Sequence, residues 1–385
     1  MNYADIIKKK QKDWDCPELM TRKSSGAKIP FSSPLMNWCT YGGVPRDAIS
    51  HFYGDYGSGK STTAQDICKN AVELFQAEYD AKVAELRDQI ASGTKGAEDA
   101  LEELEETGRK KILYIDLEHT YDPMWSATLG LDADEIDVMQ PPNIVAEEVL
   151  QTTLDIIETG ELGLIVMDSI PSLVPKKVLE KDIGESTVAA LAGLMTTFMT
   201  KVVPLLTRYG CTLILINQIR DAMNNPYAVN TPGGKAVKFY STLMLEFRLG
   251  SPVDFLGNEL PQKTENPAGY LINARITKLK KGANDRKKGT YYLMCHSGIR
   301  PDFDYTTLAI KDYGLIKKSA AWFSMIDPDT GEVLSDPETG KPIKLNGLGK
   351  VYDFLAANTE YYEKLKKYIL DDINSGGAAD VGTSD

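Results

Sequence analysis

The residues with the clearest chemistry are Gly54-Asp55-Tyr56-Gly57-Ser58-Gly59-Lys60-Ser61, which fit the pattern G-x-x-x-x-G-K-[ST]. Glycines in such a loop permit backbone angles that turn successive N–H groups inward around a β-phosphate. Lys60 then reaches the β- and γ-phosphates of a nucleoside triphosphate, and Ser61 coordinates Mg2+. A helix starting here, with Thr62 in its first turn, adds its dipole and its free N–H donors.

Three further segments carry polar groups at the ends of apolar runs. Leu162 to Met167 ends in Asp168, where a carboxylate sits beside the Mg2+ of a phosphate-loop protein, usually through water. Lys111 to Ile115 ends in Asp116, Leu117 and Glu118, and Glu118 is a candidate to orient or activate an attacking water. Asp116 and His119 fit a loop-fixing role instead. Leu213 to Ile216 ends in Asn217 and Gln218. An amide there either senses the γ-phosphate and relays its presence into the next loop, or is a satisfied strand-end group.

These groups need a scaffold that brings them to one edge. His51-Phe52-Tyr53 is a short strand before the glycine loop, and Thr62 to Leu74 reads as the helix after it. Ile112–Ile115, Leu164–Met167, Leu213–Ile216 and Leu243–Phe247 are unbroken apolar runs of the kind found in buried parallel strands. Helical patterns separate the earlier ones. The fold class expected is α/β, with a central, mostly parallel sheet whose carboxyl edge collects ligands. Phe75, Tyr79, Val83, Leu86 and Ile90 form one helical face, and Ser92 to Gly96 is a turn before a second helix containing Leu101 and Leu104. Residues 75–109 therefore read as a projecting helical hairpin. Asp327-Pro328-Asp329-Thr330-Gly331 and Asp336-Pro337-Glu338-Thr339-Gly340 are twin turns that suggest a small β-meander. Asn358 or Thr359 caps a last helix through Ile373.

Bulk properties exclude several classes. The formal charge of −12 argues against coating nucleic acid by net charge, so any such contact must be local. The five cysteines are scattered, with no metal or disulfide spacing. No unbroken run of eighteen apolar residues and no signal-peptide core appear, so a cytoplasmic protein without a membrane partner is expected.

Taken together the motifs resemble the bacterial RecA recombinases, and among them the phage-borne branch. The similarity is carried by Tyr114-Ile115-Asp116-Leu117-Glu118-His119, by Asp168-Ser169 with Leu173-Val174-Pro175-Lys176, and by Asn217-Gln218-Ile219-Arg220. Gly233-Gly234-Lys235-Ala236-Val237-Lys238-Phe239-Tyr240 and Ala320-Ala321-Trp322-Phe323 complete it, in the family's order, over roughly residues 30 to 370. The resemblance implies a RecA-like core at 34–300, a small α+β C-terminal domain at 301–374 and an N-terminal helical arm for protomer contact at 1–33; the Gly-, Ala- and Asp-rich tail at 375–385 reads as disordered. It implies ATP and Mg2+ as cofactors, a helical homo-filament on single-stranded DNA, pairing with double-stranded DNA, and strand exchange in recombination and repair. Single-strand-binding and loader proteins are implied partners, and the host cytoplasm the location if a phage encodes the chain.

Residue by residue, the resemblance makes Glu118 the catalytic glutamate and Gln218 the γ-phosphate sensor. Asp122 and Trp125 fall where the family contacts adenine, with tryptophan in place of tyrosine. Lys278 and Lys280 match lysines that reach the ATP of the neighbouring protomer, and Lys238 and Phe239 match a protomer contact. Two loops would touch DNA. The first includes Lys181, Ser186, Thr187 and Val188. The second runs from Arg220 through Met223, Tyr227 and Val229 to Gly233 and Gly234. The chain departs from the family at Asp55-Tyr56-Gly57, where bacterial relatives typically carry Pro-Glu-Ser, and in the 75–109 hairpin, which looks like an insertion. Two other readings share the phosphate loop: a hexameric helicase or ring motor, and a non-catalytic scaffold that ATP switches.

Overall fold

The structure, a computed structural model, describes residues 28–180, 190–221, 229–280 and 285–374, with side chains undescribed at 220–221 and 229–230. The expected N-terminal arm up to residue 27 and the tail from 375 lie outside the described residues. So do Lys181, Ser186, Thr187, Val188, Met223 and Tyr227.

In chain order the strands are β1 (Ile49–Gly54), β2 (Lys111–Asp116), β3 (Asp137–Met139), β4 (Leu162–Asp168), β5 (Thr212–Gln218), β6 (Arg220–Asp221), β7 (Val229–Asn230), β8 (Leu243–Val253), β9 (Gly269–Leu279), β10 (Lys288–Met294), β11 (Gly298–Ile299), β12 (Ile316–Ser319), β13 (Trp322–Met325) and β14 (Lys344–Asn346). The helices are α1 (Pro34–Thr40), α2 (Lys60–Ala91), α3 (Ala97–Thr107), α4 (Pro123–Thr128), α5 (Ala146–Glu158), α6 (Lys176–Leu179), α7 (Ala190–Tyr209), α8 (Gly234–Tyr240), α9 (Pro301–Lys311), α10 (Leu348–Ala357) and α11 (Thr359–Asn374).

A nine-stranded sheet in the order β11-β10-β9-β8-β1-β5-β4-β2-β3 forms the core. The six strands from β8 to β3 run parallel, and β9, β10 and β11 extend the sheet antiparallel beyond β8. The apolar runs are unbroken because the parallel strands are buried on both faces. Along β2, Ile112 and Tyr114 join the core on the α2 side, while Leu113 and Ile115 join the core formed with α5, α7 and α8. The pleat thus sends alternate residues into two separate cores. Helix α7 is apolar and long enough to cross a membrane by composition, but Met195, Phe198, Met199, Val202 and Leu206 bury its inner face in the second core.

The hairpin differs from expectation in one respect. The stretches expected at 62–74 and 75–90 are one continuous helix of 32 residues, α2. No proline or glycine interrupts it, so its ladder runs on for about 48 Å at 1.5 Å per residue. Its distal half packs against α3, with an Arg87–Glu105 ion pair at 3.6 Å. Near the base, Phe75 is buried against Gly163 of β4, where a Cβ would lie 2.5 Å from the ring.

Beyond residue 300, β12, β13 and β14 form a separate antiparallel sheet that shares a core with α9, α10 and α11. The twin turns repeat one device. Asp327 accepts from the N–H groups of Asp329 at 2.8 Å and Thr330 at 3.1 Å, and Asp336 from those of Glu338 at 3.0 Å and Thr339 at 2.8 Å. The fold is an α/β core built on a mostly parallel sheet, with a small α+β C-terminal unit.

Candidate nucleotide site

Strand β1 leads directly into the glycine loop. A Cβ on Gly54 would lie 2.1 Å from the Phe247 carbonyl oxygen of β8, so only glycine fits there. Gly57 and Gly59 have φ of 69° and 85°, the left-handed region where a side chain is strained. Gly59 caps α2 without a side-chain partner, which leaves the first helical N–H groups free for an anion.

Within the loop, Lys60 Nζ donates to the Asp55 carbonyl at 2.6 Å, and Ser58 Oγ donates to the same oxygen at 2.7 Å. Burial lowers the Lys60 pKa, opposed by the nearby charges of Asp168, Glu118 and Asp55. A bound phosphate would restore the preference for the charged amine.

The carboxyl ends of β2, β4 and β5 meet beside this loop. Asp168 is 4% exposed and its carboxyl is pushed up by burial, while hydrogen bonds from Ser61 and Tyr114 pull it down. The Tyr114 hydroxyl donates to Asp168 Oδ2 at 2.7 Å. Glu118 Oε1 accepts from Gln218 Nε2 at 3.1 Å and from Ser169 Oγ. The expected sensor and the expected glutamate are therefore in contact, 100 residues apart in sequence. The buried Asp116 carboxylate accepts from the N–H groups of Glu118 at 3.2 Å and Tyr121 at 2.9 Å, and from Gln140 Nε2 at 2.8 Å. These contacts give Asp116 the geometry of a loop-fixing group, the role expected for it. Asn217 is buried; its amide donates to the Pro232 carbonyl at 2.9 Å and accepts from Gln218 N at 2.9 Å.

Trp125 Nε1 donates to Thr62 Oγ1 at 3.3 Å, which sets its indole beside the start of α2. Asp122 caps α4 by accepting from Met124 N at 2.9 Å. Gly233, with φ of 88°, precedes α8, and Gly234 begins it. Arg220 and Val229 lie on the backbone ribbon β6–β7, which frames the second loop.

Four expected residues are not at this edge. Lys278 pairs with Met244, which pairs with His51, three residues before Gly54. Lys280 N donates to the Thr242 carbonyl, and Thr242 N to that of Ile49. With about 3.3 Å per residue, Lys280 lies about 17 Å along the sheet from its own glycine loop. The ammonium of Lys278 donates to the carbonyls of Lys238 at 2.5 Å and Phe239 at 2.8 Å, and that of Lys280 to Phe239 at 3.0 Å. Both thus bind the carboxyl end of α8, the favourable end for a cation. Phe239 is 70% exposed.

The residues fit a nucleotide-bound Mg2+. Ser61, at the helix start, is near enough to Asp168 to lower its pKa. Among the described residues no cluster of three His, Cys, Asp or Glu side chains forms a cage. Mg2+ commonly uses one or two protein oxygens and completes its shell with phosphate and water.

Three contributors were missed in the sequence. Ser169 follows Asp168 and holds Glu118; Tyr114 shares a strand face with Asp116 and holds Asp168; Gln140 ties down the β2 loop. The signal for Tyr114 was legible, since a phenol in a buried strand needs a partner. Gln140 came from a distant segment with no motif.

The sequence profile of the RecA N-terminal domain family matches residues 81–299, more than half of the chain. The match begins downstream of the glycine loop. The chain is 28% identical over 307 residues to Protein RecA of Ruminococcus albus, covering 79% of this chain and 66% of that protein. It is 28% identical over 295 residues to Protein RecA of Clostridium perfringens, covering 76% and 70%. With Protein RecA of Bifidobacterium longum the identity is 29% over 348 residues, covering 89% and 72%. The matched stretch thus spans about two thirds of these relatives' own length.

Proposed function

The chain belongs to the RecA family, and from that premise we propose that it is a DNA-dependent ATPase that polymerises on single-stranded DNA and catalyses homologous pairing and strand exchange. The observation that carries the reading is the contact of Gln218 with Glu118 beside the Lys60 loop.

In this reading Gly54 to Ser61 enclose the phosphates with backbone N–H groups, and Lys60 leaves the Asp55 carbonyl for the phosphate oxygens. Ser61 and, through water, Asp168 would hold Mg2+, which neutralises charge on the β- and γ-phosphates. Trp125 offers an aromatic face to the adenine and Asp122 a carboxylate for its edge. Glu118 takes the proton of the attacking water. Its hydrogen bonds from Ser169 and Gln218 hold the carboxylate in one orientation before the substrate arrives.

The same contacts suggest a path from nucleotide to DNA. Gln218 has one amide N–H pair to divide between Glu118 and a γ-phosphate. Asn217, its neighbour, is tied to Pro232 at the exit of the second loop. A shift of Gln218 toward the phosphate therefore pulls on a strand end joined to that loop. The loops 181–189 and 222–228, with Arg220, Val229, Gly233 and Gly234, are proposed to hold the DNA backbone and wedge between bases. Lys278 and Lys280, too far from their own loop, are proposed to complete the site of the next protomer.

Electron microscopy with ATP and single-stranded DNA tests the reading. Open helical filaments are expected, and closed rings alone would support the ring-motor alternative.

A further inference from the structure

The glycine loop is also gripped from behind. Tyr291 of β10 is buried, and its hydroxyl lies 2.5 Å from Thr63 Oγ1 in the first turn of α2. Thr63 Oγ1 donates to the Gly59 carbonyl at 2.7 Å. A threonine hydroxyl carries one proton, and here it is used on Gly59. Tyr291 is therefore the donor to Thr63, and burial raises its pKa so that the proton stays on the phenol. The chain runs from Tyr291 O–H to Thr63 O–H to Gly59 C=O.

Its end point is the residue where the loop becomes a helix. Gly59 has φ of 85°, and a Cβ there would lie 3.3 Å from the Tyr291 hydroxyl and 3.4 Å from the Ile272 side chain. Tyr291 and Ile272 are partners across β10 and β9. The Gly59 carbonyl shares one planar trans peptide with the Lys60 N–H, so the two point in opposite directions. A grip on the carbonyl fixes the N–H. That N–H belongs to the first turn of α2, where donors have no partner within the helix and face an anion at its start. Donation to the carbonyl also polarises the peptide and makes its N–H a stronger donor. Beside Tyr291, the ring of Tyr292 meets Phe303 of α9 edge-on at 5.1 Å, so β10 is itself held from beyond the sheet. The floor under the glycine loop is thus built from strands outside the parallel core.

We propose that Tyr291 is a positioning residue of the nucleotide site: through Thr63 it aims the Lys60 N–H at the bound phosphate. The proposal deepens the reading of Gly54 to Ser61 as a phosphate loop and rests on it.

The test uses the full chain. Tyr291→Phe removes the donor and keeps the ring, and Thr63→Val removes the relay and keeps the shape. Both variants and their combination are titrated with a fluorescent ADP analogue and Mg2+ in the absence of DNA. Their KM and kcat for ATP are taken at saturating single-stranded DNA. An N–H on a phosphate that stays bound through the reaction contributes equally to ground and transition states, so KM rises and kcat is kept. In Tyr291→Phe the ADP dissociation constant and KM should rise about 3- to 10-fold, the worth of one neutral hydrogen bond. The double variant should bind no more weakly than Thr63→Val alone, because Tyr291 acts only through Thr63. A lower urea midpoint in Tyr291→Phe with both constants unchanged would overturn the proposal, since the hydroxyl would then serve packing alone. Additive losses in the double variant would overturn it too. Lys60→Ala, assayed alongside, reads the phosphate loop itself. If it abolishes hydrolysis while Tyr291→Phe leaves both constants unchanged, the loop stands and the positioning role fails. Normal turnover in Lys60→Ala removes both.

Discussion

Glu118→Gln separates the proposed proton-accepting role of Glu118 from its place in the fold. The amide has nearly the same shape, and its oxygen can still accept from Gln218 Nε2, now 3.1 Å away, and from Ser169 Oγ. The constellation should therefore persist. What is lost is a basic oxygen and a negative charge. Losing a positioned general base typically costs 10²- to 10⁴-fold, which corresponds to about 2.7–5.5 kcal/mol of barrier. The lost charge acts in the opposite direction on binding. Glu118 is one of three carboxylates near Lys60, so its neutralisation leaves the loop less repulsive to a polyanion. Turnover at saturating ATP and single-stranded DNA should fall by about 100-fold or more, while nucleotide affinity holds or tightens. Phosphate release and titration with a fluorescent ATP analogue read the two quantities separately. Turnover within a few-fold of the parent would move the base elsewhere. Equal loss of turnover and affinity would mean that Glu118 supports the pocket rather than the reaction.

Other perturbations address the scaffold and the loop. Lys60→Ala should abolish hydrolysis, with folding intact by circular dichroism, because no other cation of the loop can face the phosphates; normal turnover would remove the phosphate-loop assignment. Gly163→Ala drives a methyl group into the Phe75 ring, at 2.5 Å, and should destabilise the chain by about 1–3 kcal/mol, read by urea unfolding. Asp304 is fully buried, accepts from Ser33 Oγ, and has its carboxyl raised well above the usual range by burial. A raised folded-state pKa means that the folded chain holds the proton longer, so Asp304 costs stability as pH rises from the ordinary carboxylate range. Asp304→Asn should therefore unfold at higher urea than the parent at pH 7.5, with the gap closing toward pH 3.5. A variant weaker by the same margin at both pH values would show that Asp304 serves only as a hydrogen-bond acceptor.

Legibility in the sequence followed the range of the physics involved. The glycine loop, Asp168 and Glu118 could be found because each pairs a strand end with a polar residue, a local pattern. The parallel strands were legible because burial on both faces removes polar residues from them. Strands β9 and β10 were not, since Asn273, Arg275, Thr277 and Lys278 interrupt the apolar residues of β9 on an extension of the sheet that is only partly buried. The break expected near Phe75 in α2 reflected a change from core-facing to hairpin-facing residues, which does not interrupt a backbone ladder. Contacts such as Gln218 with Glu118, or Asn217 with Pro232, depend on how β2, β5 and the second loop come together, and no local pattern records that. The opposite-edge placement of Lys278 and Lys280 follows from the β1–β8–β9 register, which likewise exists only in the assembled sheet.

The central claim is that ATP is hydrolysed at a site completed by a neighbour on DNA. It is tested most directly by phosphate release with and without single-stranded DNA across a range of protein concentrations. The account predicts little hydrolysis without DNA, and with DNA a specific activity that rises with protein concentration until protomers are contiguous. DNA-independent hydrolysis at constant specific activity would contradict it.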